Sequence, residues 1–203
     1  MIEDMIKEQF IGRNPSHFHV NPLVKSFIVS EAFVWSAWNL FFPIFAIFAA
    51  TDIIGGNIQF AAFAYSFHLI IRVLVELISC KYLSKSSEHS KIKTTILGLA
   101  LISIAYVGFA FSKTIFPIML FYSLIGAGFG IATPAKNSLF STHLDKNKEP
   151  TEWGIYDAVV FIGMAFATAL GGFIASQYGF QVLFLLASLM NIASIIPYLL
   201  YTD

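Results

Sequence analysis

The chain has 203 residues, of which 57% are apolar and only 12% charged, against roughly 25% charged in ordinary globular chains. Twelve basic residues balance twelve acidic ones, so net charge is zero and no basic footprint for nucleic acid exists. With a mean hydropathy of +0.75, so few charges do not cover a soluble domain, and the composition points to an all-α, polytopic membrane protein.

The first 25 residues are polar. Ile2, Met5, Ile6, Phe10 and Ile11 share one helical face opposite Glu3, Asp4, Lys7 and Glu8, before Gly12 and Asn14-Pro15 end the pattern. A short interfacial helix and a frayed terminus both fit this segment. Met1 to Gln9 lack an apolar run, so no cleavable signal peptide is expected. His17-Phe18-His19 has no Asp, Glu or Cys close by and is not read as a metal site.

Residues 26–202 are read as the membrane domain. Six apolar segments follow one another at about 27–50, 59–80, 95–111, 115–140, 153–176 and 180–201, each near the roughly 20 residues that cross a bilayer. Turn signals separate them: Asp52 with Gly55-Gly56-Asn57, Ser84 to Ser90, Ser112-Lys113, Asp145 to Pro150, and Tyr178-Gly179. Barrel strands would be about 10 residues long and strictly alternating, which these runs are not.

Charge orients the six spans. Lys7, Arg13, Lys25, Lys81, Lys85, Lys91, Lys93, Lys136, Lys146 and Lys148 fall on one side, and Lys113 stands alone on the other. The positive-inside rule makes both termini cytoplasmic, with the cell membrane as the expected location.

Within the spans, His68, Arg72 and Glu76 are spaced four apart and share a face of span two. Arg72 lies nine residues from Lys81, about 13 Å deep, where charges usually face a bundle interior or water. A self-neutralising Arg72–Glu76 pair that locks span two to a neighbour is the plain alternative to a substrate or proton pathway. Span one carries a matching stripe of Glu31, Trp35 and Asn39. Folding the hairpin near Ile53-Ile54 sets Glu31 level with Glu76, Trp35 with Arg72, and Asn39 with His68. A cation–π contact of Trp35 with Arg72 is then expected, as is a Glu31–Glu76 carboxyl pair suited to carrying a proton. Lys136 and Asp157, near the same end of spans four and five, are read either as a gate pair or, for Lys136, as a snorkelling side chain.

Gly126 and Gly130 share one face of span four, and Gly163, Ala167, Gly171 and Ala175 repeat four-residue spacing in span five. Such ladders let two helices approach closely and rock against each other, as in a transporter, and rigid bundles use the same device. The single cysteine, Cys80, leaves no disulfide or Cys-based metal site. No Ser–His–Asp arrangement or embedded metal cluster is legible, so neither an enzyme, a metal nor a cofactor is expected.

Gly126-Ala-Gly-Phe-Gly-Ile-Ala-Thr-Pro-Ala135, Glu152-Trp-Gly154 and the run from Gly163 to Gly172 resemble one half of a major facilitator superfamily transporter. Gly154, Gly163, Ala167-Thr168 and Gly171-Gly172 keep the spacing of the superfamily's span-five motif, with Ala167 and Thr168 standing for its Gly-Pro. Cys80, Ser84 and Lys85, with Lys91 and Lys93 beyond, occupy its loop between spans two and three without the usual Gly and Asp. Asn21-Pro22, Pro43-Ile-Phe-Ala-Ile-Phe48 and His143-Leu-Asp-Lys146 also fit the half-length members.

The resemblance implies a six-helix bundle of two inverted three-helix repeats, with Pro43 and Pro134 at corresponding places. It implies a cavity lined by Trp35, Asn39, Tyr122 and Gly126. The function expected is secondary transport of a small molecule by alternating access as a parallel homodimer, with proton linkage through Glu31, Glu76 or Asp157. The alternative is an accessory half that assembles with a second six-span polypeptide.

Overall fold

The computed structural model describes residues 21–201, so the amphipathic head and His17 and His19 lie outside the described residues. Among the described residues, Asn21 begins the first helix, α1 (Pro22–Phe41), by accepting the Leu23 amide at 2.9 Å, with Pro22 at a position where its missing N–H costs nothing. Pro43 then tightens the chain into a 3-10 turn, Phe42–Ile44, before it continues as α2 (Phe45–Thr51). Asn57 caps α3 (Ile58–Leu83) through the Phe60 amide, and Ser87 caps α4 (Glu88–Phe111) through that of Ser90. α5 (Ile115–His143) carries Pro134 in its interior without breaking. α6 (Glu149–Ala193) and the short α7 (Ile196–Tyr201) complete the chain.

Among the described residues there is no strand. One backbone bridge ties the two turns on the same end of the bundle, with Ile54 N donating to Lys113 O at 2.9 Å.

Among the described residues, five helices are long and apolar enough to cross a membrane: Pro22–Thr51, Ile58–Leu83, Glu88–Phe111, Ile115–His143 and Glu149–Leu200. The last contains the segments read as spans five and six, and it is not straight. Gly179 sits at φ 81°, ψ 168°, outside the helical region. Gly171 abuts Leu40 of α1, yet Phe184 packs on the next residue, Phe41, with ring centroids 5.2 Å apart. Thirteen residues of straight helix would separate these contacts by about 20 Å. The chain therefore doubles back at Gly179, and no polar loop is needed because glycine tolerates that φ.

The order of packing is an open arc. The first arm of α6 lies on α1, with Gly163 against Ser36 and Gly171 against Leu40. The second arm returns to α4, where Asn191 Nδ2 donates to Leu99 O and Ser103 Oγ, both at 2.8 Å, and Ser188 donates to Ser103 O. α5 is wedged between α4 and α3. A Cβ on Gly128 would fall 2.7 Å from Gly98 O, while one on Gly126 would fall 2.5 Å from His68 O and one on Gly130 2.8 Å from Arg72 O. Between the helices, Phe41, Phe45, Phe48, Phe109, Tyr122 and Phe184 form an aromatic core.

Two expectations change here. The glycine ladders of α5 and α6 do not face each other: the first meets α3 and the second meets α1. Among the described residues, a Cβ added at Gly154 or Gly172 would meet nothing within 4 Å, so neither makes a close helix contact there. The ends of the arc, α3 and α6, bury only 17% of their apolar windows, against 44–50% for the other three helices. They present bare apolar faces outward.

Candidate functional site

Glu31 of α1 is 2% exposed and its carboxylate is committed on both oxygens. Lys136 of α5 donates to Oε1 at 2.5 Å, and the Trp35 indole N–H, one turn along α1, donates to Oε2 at 3.0 Å. Both charged side chains are only 3% exposed. Two charges removed from solvent together require this geometry, because a partner lost from such a site leaves an uncompensated charge behind.

The neighbouring charges belong to α3. Arg72 Nε faces Glu76 Oε2 at 3.6 Å, and its Nη2 donates to Thr133 Oγ1 of α5 at 3.4 Å. This pair is looser and wetter, with side chains 25% and 34% exposed. Between the two ion pairs stands Phe129: Arg72 sits 5.1 Å from its ring centroid, and Trp35 stacks 6.1 Å away.

The depth-matched pairs are therefore not contacts. Glu31 meets Lys136 instead of Glu76, and Arg72 lies over Phe129 instead of Trp35. Asn39 turns its amide onto Trp35 O at 2.9 Å, while His68 stacks on Trp38 at 5.6 Å and sets Nδ1 3.3 Å from Tyr122 O. Equal depth does not determine how each helix is rotated, and the close glycine contact with α5 turns the α3 stripe toward that helix. Lys136 reaches inward to Glu31, neither snorkelling nor pairing with Asp157, which is exposed. Tyr122 is fully buried beneath His68 and the core aromatics.

Sequence reasoning missed Phe129 and Thr133. Both lie on the α5 face that includes Gly126, Gly130 and Lys136, so helical spacing from those residues was the available signal. At the end of the bundle holding the expected cytoplasmic loops, Glu88 reaches His143 at 3.5 Å, Lys91 donates to Ser138 at 2.9 Å, and Glu152 accepts the Asp145 amide at 2.9 Å. No group of three or more His, Cys, Asp or Glu gathers among the described residues to hold a metal.

No curated protein matches the sequence. Among solved structures, the chain is similar to the POT family transporter PepTSo, crystallised in meso, with a TM-score of 0.76 and 15% identity. The match covers 89% of this chain and 37% of that one, so the chain spans little more than a third of its length. At this identity the likeness speaks for the fold. Residues 27–203 match the family model of the Major Facilitator Superfamily. This all-helical, multi-pass membrane chain belongs to the major facilitator superfamily.

Proposed function

We propose that the chain is one six-span half of a secondary transporter that moves a small molecule by alternating access. Counting the two arms of α6 on either side of Gly179 as spans five and six makes spans one to three and four to six a pair of inverted repeats. Both termini face the cytoplasm, and the protein resides in the cell membrane. Glu31, Trp35, Asn39, His68, Arg72, Glu76 and Tyr122 flank the substrate and proton pathway.

The observation that carries this reading is the buried Glu31–Lys136 pair beside the partly open Arg72–Glu76 pair, at span depth in a superfamily chain. Charges held there are costly, and their usual use is in conducting a substrate or ion. Protonating Glu31 removes its attraction for Lys136 and so supplies a coupling step between states. The test is solid-supported-membrane electrophysiology on proteoliposomes, screening small acids, amines, sugars and peptides. Substrate-dependent currents are expected from the wild type and not from Glu31→Gln. A Glu31→Gln protein with the same currents and the same proton coupling refutes the assignment.

A second copy of the chain supplies the facing half as a parallel homodimer, an arrangement supported by the bare apolar faces of α3 and α6. The 37% coverage of PepTSo favours a second half in some form, and a different six-span polypeptide is the competing source. With Cys80 replaced by Ser, single cysteines at Leu77 or Phe166, both exposed on those faces, are expected to cross-link copies in membranes. Recovery of an unlike partner replaces the homodimer, and monomer alone removes it.

A further inference from the structure

Arg72 has more hydrogen-bonding capacity than the chain uses. Of its fork of N–H donors, Nη2 serves Thr133 at 3.4 Å, and Nε faces Glu76 at 3.6 Å, beyond hydrogen-bond distance. Its Nη1 group meets no acceptor among the described residues. The partner hydroxyl is also incompletely used. Thr94, Thr95, Ser103 and Ser123 each donate to the carbonyl four residues back, the ordinary way for a hydroxyl to be satisfied inside an apolar helix. Thr133 makes no such bond. Its oxygen accepts from Arg72, and its proton remains to be donated.

Two uncommitted donors thus lie close together, one on a guanidinium that is a quarter exposed and one on the hydroxyl it touches. The buried Lys136 is neutralised by Glu31 and does not compete. The chemistry that fits is specific. Glu76 already compensates the Arg72 charge, so the free donors select a ligand by its acceptors: a cation brings none and an amide a single oxygen. A carboxylate is planar, its two oxygens match the guanidinium edge, and it adds one excess negative charge where a phosphate dianion adds two.

We propose that Arg72 and Thr133 form the carboxylate subsite for a small organic acid, which rests on the transport reading above by naming its substrate class. Arg72 takes the carboxylate through its free edge, Thr133 donates its hydroxyl proton to the nearer oxygen, and Glu76 is the internal carboxylate that the ligand relieves.

The test is binding to the purified full chain in detergent, by isothermal titration and by ligand-induced thermal shift. The probes are benzoate, benzamide and benzylamine, which share a ring and differ in charge, together with acetate and lactate. Benzoate binding is expected, with benzamide and benzylamine each weaker by at least about tenfold. Arg72→Lys is expected to weaken benzoate by at least about tenfold, since a point charge lacks the fork. Thr133→Val is expected to weaken it several-fold, and Glu76→Gln to strengthen it by removing the competing carboxylate. Arg72→Lys and Glu76→Gln shift affinity in opposite directions, which general misfolding does not do.

The proposal is overturned if no carboxylate binds the wild type, if benzamide binds as tightly as benzoate, or if Arg72→Lys leaves benzoate unaffected. Benzoate binding without transport in proteoliposomes keeps this subsite and removes the transport reading. Transport of substrates lacking a carboxylate, with Arg72→Lys unchanged, does the reverse.

Discussion

Replacing Lys136 with Met leaves the Glu31 carboxylate 2% exposed, with the Trp35 indole and the neighbouring Tyr156 hydroxyl as its remaining polar partners. The nearby Arg72 cannot substitute, because it lies against the Phe129 ring that Trp35 also stacks on. Both charged side chains are 3% exposed, so solvent screens little of the pair. Removing one member of such a pair costs about 3–5 kcal/mol, whereas replacing both with apolar residues of similar size is often neutral or stabilising by about 1–4 kcal/mol.

Lys136→Met and Glu31→Leu singly are therefore expected to destabilise the protein by about 3–5 kcal/mol each, and the double variant by much less than their sum. Equilibrium unfolding in mixed detergent and SDS micelles, followed by tryptophan fluorescence, measures the three free energies and their coupling. Single variants within about 0.5 kcal/mol of the wild type, or a double variant that simply adds the two losses, refute the buried pair.

The glycines give a paired test by the same assay. Gly126→Ala places a methyl 2.5 Å from His68 O and is expected to cost about 1–3 kcal/mol by forcing α3 from α5. Gly154→Ala has open space beside it and is expected to be neutral or stabilising by up to about 1 kcal/mol. Gly179→Ala forces a side chain into φ 81°, ψ 168° and is expected to lower stability by about 1–3 kcal/mol, read from the same titration. Asn191→Leu removes both hydrogen bonds to α4 and is expected to cost about 1–2 kcal/mol, with faster amide exchange at the Leu99–Ser103 turn.

Hydropathy and local chemistry belong to short stretches of chain, and the features they control were legible before any coordinates. The apolar runs predict long helices, and the turn signals ending at Asn57 and spanning Ser87 fall where those two side chains cap the helices that follow. Pro43, read from the sequence only as a counterpart of Pro134, tightens the chain into a 3-10 turn in the structure for an equally local reason, the absence of an N–H. Gly179 was legible as a reversal, though not that helical structure would run up to it on both sides. The spacing of Gly163, Ala167 and Gly171 also carried the superfamily resemblance, which the family match over residues 27–203 supports.

Which polar residues meet is a different kind of quantity. Depth along a helix follows from residue number, but the direction of a side chain turns through about 100° per residue and depends on how neighbouring helices are rotated. Glu31 and Glu76 were placed level by counting, yet Glu31 faces Lys136, 105 positions away in the chain. That rotation is set by backbone contacts at Gly126 and Gly130, where α3 approaches so closely that a single methyl would not fit. Sequence alone determined that the chain enters the membrane, where it bends and which few charges it carries there. Only tertiary packing decided that those charges form one sealed pair and one open pair, because burial and partnership are properties of surfaces brought together rather than of residues in a line.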